Sequence, residues 1–370
     1  MVAGTPLVLF LCGDLMTGRG VDQLFPCRSS PRLYEPFVDS ALDYVRLAER
    51  ASGPIPRPVD AAYVWGVLPV LCERLRPDVR IINLETSVTT SDDAAPKAIN
   101  YRMHPRNVAV LTAARVDCCV LANNHVLDWG RAGLLETLET LARAGIRVAG
   151  AGRELAAARA PAVLEVAGDR RVLVFAFGAA DAGVDADWAA GVGTAGIHVL
   201  ADLSEQTVDG IARLVSGGRR PGDVVVASVH WGHNWGYAVP RAHRRFAHAL
   251  VDRAHVDVVH GHSSHHPMAI EVHHGRPIFY GCGDFLNDYE GIPGHERFRG
   301  DLVLAYFPAL DARTGELVRL TMMPLQIRRF RLTTPAAADR DWLRDVLDRE
   351  CRRFGHRVTL HDDVLTLDWR

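Results

Sequence analysis

Short, uninterrupted apolar runs recur along this chain, separated by longer segments with helical periodicity. The runs at 7–12, 79–84, 118–122, 147–149, 171–177, 224–230, 256–260, 276–282 and 302–308 are mostly rich in Val, Ile and Leu. Several lack the polar alternation of a half-exposed strand, as expected where helices or a second layer cover both faces. The segments 61–76, 105–114, 130–144, 204–216 and 241–254 read as helices. Strands alternating with helices imply an α/β fold. No internal repeat is visible, and the Pro- and Ala-rich stretches at 51–60 and 156–162 read as loops within a domain. The expected organisation is one α/β domain over 1–308. A C-terminal extension over 309–370, with a strand, a loop at Thr333-Thr334-Pro335 and a helix at 339–354, packs on it.

Chemistry enters where the runs end. Asp14 follows the first run, Glu85 the second and Asn123-Asn124-His125 the third, while His230 closes a later one. The C-terminal ends of strands are where α/β sheets assemble their sites. Carboxylates supply charge, amide oxygens and neutral imidazoles supply further donors, and together they suit a divalent metal. The candidate ligands are Asp14, Glu85, Asn124, His230, His262 and His265, the last two from Gly261-His262-Ser263-Ser264-His265. Mn, Mg, Ca, Zn and Fe are not distinguished by such a mixed set. Each residue also has a bland reading: Asp14 and Glu85 as caps, Asn124 as a left-handed turn residue, His230 as a satisfied core histidine, and His125 with Asp128 as a structural pair.

Composition narrows the function classes. The 370 residues carry a formal charge of −2, which predicts no nucleic-acid binding through bulk charge. The first apolar run is too short to span a membrane and has no basic leader, so no membrane partner and a cytoplasmic location are expected. Seven cysteines without metal-type spacing read as reduced thiols. Lys97 is the one lysine and reads as a polar-loop residue, which argues against Schiff-base chemistry.

Taken with Asn83-Leu84-Glu85, His230-Trp231-Gly232 and Tyr280-Gly281-Cys282-Gly283-Asp284-Phe285-Leu286-Asn287-Asp288, the ordered motifs resemble the CapA family. That family is named for poly-γ-glutamate capsule synthesis and is related to the calcineurin-like metallophosphoesterases. The resemblance runs from about Leu7 to Leu304. It implies a layered α/β/β/α sandwich with a metal-dependent catalytic domain over 1–308. Two departures stand out. Met16 replaces the histidine that metallophosphoesterases place two residues after the first aspartate, and Glu85 replaces an aspartate. Both put ordinary phosphodiester hydrolysis in doubt, and the lack of an anchor puts a capsule role in doubt. A narrower resemblance is to soluble proteins found beside lasso-peptide biosynthesis, a peptide epimerase among them.

The leading expectation is therefore a metal-dependent epimerase that inverts an α-carbon, at the C-terminal residue, of a ribosomally made lasso-peptide precursor. Metal-dependent hydrolysis of a phosphoester or amide is one alternative, and a non-catalytic component of polymer biosynthesis or export is another. Inversion needs two proton-transfer groups on opposite faces. His125, oriented by Asp128, is one candidate, and His295, in the loop beyond the 280–288 segment, is the other. Trp235, Tyr237 and Arg299 are the expected peptide-binding residues, aromatic faces for side chains and a guanidinium for carboxylate.

Overall fold

The computed structural model describes residues 5–369; the stretch before residue 5, part of the terminus read as leaderless, lies outside them. Two sheets form the centre. The first runs Arg357–His361, Val364–Asp368, Leu317–Ile327, Leu302–Leu310, Leu7–Leu15, Val79–Leu84, Cys118–Val120, Arg147–Ala149, with Asp284–Leu286 also paired to Leu7–Leu15. The second runs Ile270–His273, Arg276–Phe279, Val258–His262, Val224–His230, Arg170–Gly178, Ala162–Val166.

The layering follows from side-chain alternation along the second sheet. Val172, Val174, Ala176, Val224, Val226 and Val258 belong to the same buried core as Leu9, Leu11 and Ile81 of the first sheet. Their neighbours Leu173, Phe175, Phe177, Val225, Ala227, Val229 and Val259 pack instead with Val208, Ile211, Phe246 and Leu250. Those four lie on the helices Glu205–Gly218 and Arg241–Asp252. Successive strand residues point to opposite faces, so one sheet face meets the other sheet and the opposite face meets helices. The helices Ala41–Ser52, Leu68–Leu75 and Gly130–Arg143 contribute Val45, Leu68 and Leu134 to the core that holds the first sheet. The result is a layered α/β sandwich. Each fully buried Val or Phe contributes roughly 1.5–3 kcal/mol by leaving water.

Within the first sheet, Leu7–Leu15, Val79–Leu84, Cys118–Val120 and Arg147–Ala149 are mutually parallel. In the second, Arg170–Gly178, Val224–His230, Val258–His262 and Arg276–Phe279 are parallel. The C-terminal ends of both parallel groups carry the candidate ligands.

Several elements differ from the sequence reading. The expected helix over 61–76 breaks at Gly66, which has φ 47°. A Cβ there would lie 1.8 Å from the carbonyl oxygen of Leu332, so only glycine permits that approach. The extension over 309–370 does more than pack on the domain. Leu317–Ile327 and the hairpin Arg357–His361/Val364–Asp368 add strands to the first sheet. No described helix is long and apolar enough to cross a membrane.

Candidate metal centre

Asp14 sits at the end of the first strand, fully buried, in register with Asn83 on one side and Asp284 on the other. Asn83 Nδ2 donates to Asp14 Oδ1 at 2.7 Å and reaches Glu85 Oε2 at 3.2 Å, bridging the two carboxylates. The other oxygen of Asp14 accepts from the backbone N–H of Ser263 at 3.1 Å. Ser263 has φ 103°, a conformation that a non-glycine residue holds only where its surroundings impose it.

The second sheet brings the imidazoles. His230 and His262 are register partners on adjacent strands. Their Nδ1 atoms lie 2.8 Å apart, and His262 Nδ1 is 3.8 Å from Asp14 Oδ1. Burial holds both histidines well below the ordinary imidazole range, and neighbouring histidines add to the effect. The far nitrogen of His262 meets Ser228 Oγ at 2.9 Å, whereas His230 Nε2 is buried with no hydrogen-bond partner. His265 follows in the loop. Its Nδ1 contacts Asp284 Oδ1 at 2.7 Å, and Asp284 Oδ2 accepts from Asn287 Nδ2 at 2.6 Å. Burial opposes protonation of His265, but Asp284 and Asp14 outweigh it and raise its pKa.

The carboxylates behave oppositely. Burial, then Asp284, pushes Asp14 up to about 7, and burial with Asp14 pushes Glu85 well above the carboxylate range. The buried Asp14 and Glu85 carboxylates stand with the neutral imidazoles of His230 and His262 in an enclosure where ionised carboxylates are disfavoured. A divalent cation fits that donor set. Two groups share Asp14: Asp14, His230 and His262, and Asp14, His265 and Asp284, the ligand atoms of each lying within 4.8 Å of one another.

Four of the six sequence-derived ligands thus converge: Asp14, His230, His262 and His265. Glu85 adjoins them through Asn83. Asn124 Oδ1 is buried without a hydrogen-bond partner, and its backbone carbonyl accepts from Lys97. Asp284 escaped the sequence-based ligand set although its motif was noted. Its signal was position: it opens a short strand paired directly to Asp14.

His125 and Asp128 are paired, Nδ1 to Oδ2 at 2.6 Å, and His125 Nε2 is 3.8 Å from Glu85 Oε1. Burial lowers His125 to about 4, against the pull of Asp128. Lys97 lies in a loop, as the sequence suggests, and its ammonium bonds Asp128 Oδ1 at 2.7 Å and lies 3.3 Å from His125 Nδ1.

A cavity of about 720 Å³ adjoins the cluster, with His265 and Asn287 in its lining beside Arg19, Tyr44, Trp235 and Tyr289. His295 also lines it, exposed and stacked on Trp235 with ring centroids 4.0 Å apart. No contact joins His295 to the carboxylates of the centre. Tyr237 is not in this lining; it packs on His266, Phe298 and Arg349. Arg299 lines the cavity, but its guanidinium is engaged by Asp301 at 2.8 Å and Asp339 at 2.9 Å. That corrects the expectation of a guanidinium standing free for a substrate carboxylate.

Comparison with known proteins gives a consistent picture. The family model for the bacterial capsule synthesis protein PGA_cap matches residues 8–289. A Mycobacterium tuberculosis protein named "Probable polyglutamine synthesis accessory protein" is 47% identical over 368 residues, covering 98% of this chain and 97% of that protein. The PGA biosynthesis protein CapA of Bacillus subtilis is 27% identical over 362 residues, 96% of this chain and 80% of that one. The capsule biosynthesis protein CapA of Bacillus anthracis is 26% identical over 238 residues, 63% of this chain and 53% of that one.

Proposed function

The chain belongs to the PGA_cap family of bacterial capsule synthesis proteins, and from that premise we propose that it is an accessory component in the synthesis of an amide-linked, carboxylate-bearing chain, which it engages at a divalent-metal centre. The names of the relatives concern polymer synthesis and none concerns epimerisation. That moves the polymer-biosynthesis alternative ahead of inversion of a lasso-peptide residue.

The observation that carries the reading is the convergence of the buried Asp14, His230 and His262, whose ligand atoms lie within 4.8 Å of one another. Asp14, Glu85, His230, His262, His265 and Asp284 would hold the ion. When bound, a divalent ion supplies Lewis acidity toward a carboxylate or amide oxygen. Around it the chain's own residues orient and exclude water. Asn83 fixes two carboxylates, Ser263 N–H holds Asp14, and Trp235 with Tyr289 walls the approach.

A second, catalytic reading is favoured by the carboxylate-oriented His125, whose Nε2 lies 3.8 Å from Glu85 Oε1. Burial holds His125 neutral, as suits a general base. Asp128 and Lys97 fix the orientation of His125. Amide hydrolysis and α-carbon inversion both need a base at the reacting group.

The test uses the purified chain with and without Mn²⁺ or Zn²⁺, mixed with α- and γ-linked oligoglutamates. Calorimetry should show binding that requires the ion and disappears in Asp14→Ala. Equal binding without metal and in Asp14→Ala would sink the proposal. Mass spectrometry of the same mixtures in deuterated water decides the second reading: shortened chains indicate hydrolysis, deuterium at an α-carbon indicates inversion, and unchanged chains leave a binding protein.

A further inference from the structure

A second group of metal-capable side chains lies far along the chain from Asp14, at the opposite end of the second sheet. His273 and His274 end the strand Ile270–His273 and enter the turn to Arg276–Phe279. That turn sits at the N-terminal end of the parallel strands, whereas the Asp14 centre occupies their C-terminal ends. His274 and Gly275 have φ 48° and 77°, as in a two-residue hairpin turn whose central residues are both left-handed. Consecutive strand residues normally face opposite sides. Here the turn brings His274 round, and its ring stacks on His273 with centroids 4.0 Å apart. His248 stacks on the other side of His273 at 3.8 Å.

Both imidazoles aim at one carboxylate. Asp252 ends the helix Arg241–Asp252. His273 Nε2 lies 2.9 Å from Asp252 Oδ1 and 3.1 Å from Oδ2, and His274 Nδ1 lies 3.0 Å from Oδ1. Tetrahedral zinc with ligand bonds of about 2.0–2.2 Å holds its ligand atoms only a few tenths of an ångström farther apart than this. The three donors are therefore already gathered. They are anchored on two different elements whose backbones are fixed by helix and hairpin hydrogen bonds. His274 is 74% exposed, so an ion has an open route and room for water as a fourth ligand.

We propose that Asp252, His273 and His274 form a second divalent-ion site, for a borderline transition ion of the Zn²⁺ class, which ties the end of the helix to the hairpin turn. Two imidazole nitrogens and one carboxylate oxygen suit Zn²⁺, Ni²⁺ or Cu²⁺, whereas Mg²⁺ and Ca²⁺ favour all-oxygen shells. The site is independent of the Asp14 centre: it shares no residue with it.

The variant that tests it is His274→Asn. Asparagine followed by glycine is the preferred pair for this turn, so the backbone keeps its conformation while a ligand is lost. Zn²⁺ binding is measured by equilibrium dialysis with metal analysis on the tag-free full chain, in the wild type and in an Asp14→Ala background. His274→Asn and Asp252→Asn should each lose one equivalent, or weaken it by more than about tenfold, the loss already typical for removing a group that only orients a ligand. Cu²⁺ loaded into the Asp14→Ala chain should show coupling to two imidazole nitrogens by electron paramagnetic resonance, reduced to one in His274→Asn. Unchanged stoichiometry and affinity in both variants, or a Cu²⁺ spectrum that His274→Asn does not alter, overturns the site.

Discussion

The two sheets contribute different chemistry to one centre. The first supplies oxygen: Asp14 and Glu85 at the ends of adjacent parallel strands, with Asp284 on the short strand paired beside Asp14. The second supplies nitrogen: His230 and His262 in register on neighbouring strands, and His265 just beyond. Neither sheet holds a complete ligand set. The proposed centre exists only where the sheets meet, so that proposal couples metal affinity to sheet packing. The contrast also explains the opposed ionisation. Asp14 and Glu85 are pushed up, His230 and His262 on the other side are pushed down, and a cation between them would favour ionised carboxylates and meet neutral imidazole nitrogens.

The largest expected effect comes from removing the residue on which both halves depend. Asp14 belongs to both ligand groups, whereas His230 and His265 each belong to one. Asp14→Ala should abolish metal binding at the centre, while His230→Ala and His265→Ala each retain part of it. Metal analysis after dialysis reads the difference. Equal retention in all three variants would break the division between a shared oxygen side and a split nitrogen side.

The seam itself offers the next test. After Arg276–Phe279 the chain crosses from the second sheet to the first and passes Gly283, whose carbonyl accepts from Asp14 N–H at 2.9 Å. A Cβ on Gly13 would lie 1.6 Å from that carbonyl oxygen. Gly13→Ala must push the crossing segment away from the first strand. Overpacking usually costs about 1–3 kcal/mol, and a clash with backbone belongs at or beyond the top of that range. Denaturant unfolding should show that loss together with weakened metal binding. Lost stability with unchanged metal affinity would show that the seam and the centre are separable.

Much of this centre was legible in the chain before its fold was known, for a physical reason. Strand ends in parallel sheets are close together, so polar residues that follow apolar runs converge without any detail of packing. Asp14, His230, His262 and His265 were found that way. What escaped depended on contacts between distant segments. Asp284 follows the run at 276–282 as Asp14 follows the first, but its place beside Asp14 comes from pairing across the chain. Lys97 sits in a polar loop, and nothing local foretells that the loop folds back on Asp128. Arg299 was legible as a cation but not as one already engaged by two carboxylates. The broken helix at Gly66 and the further strands that the C-terminal region adds to the first sheet were hidden for the same reason.

Coupling between metal and packing predicts a stability effect of middle size. An ion that binds only the folded chain, at a hundred times its dissociation constant, stabilises it by about 2.7 kcal/mol. Thermal or denaturant unfolding with and without Mn²⁺ or Zn²⁺ should show an increase of that order in the wild type. His274→Asn should keep the part that comes from the Asp14 centre, and Asp14→Ala should lose it. A chain whose stability ignores every divalent ion would mean that the sheets close equally well around an empty centre.

The smallest effect separates the two walls of the cavity. Trp235 comes from the loop after His230 on the second-sheet side, and its ring stacks on His295 and lies beside His265. Arg299 precedes Leu302–Leu310 of the first sheet, and its charge is spent on Asp301 and Asp339. Truncating Trp235 removes a large apolar face from the lining without touching any carboxylate. Truncating Arg299 removes two partly exposed ion pairs, each worth about 0.2–1 kcal/mol of stability in such a setting. Trp235→Ala should therefore weaken binding of an oligoglutamate or peptide probe while metal content stays constant. Arg299→Ala should shift stability by no more than about 2 kcal/mol and leave probe affinity nearly unchanged. Titration calorimetry on both variants, beside a denaturant curve for each, distinguishes them. If Arg299→Ala instead costs more affinity than Trp235→Ala, the guanidinium exchanges its internal partners for the ligand's carboxylate. The first-sheet wall would then take part in recognition as directly as the second.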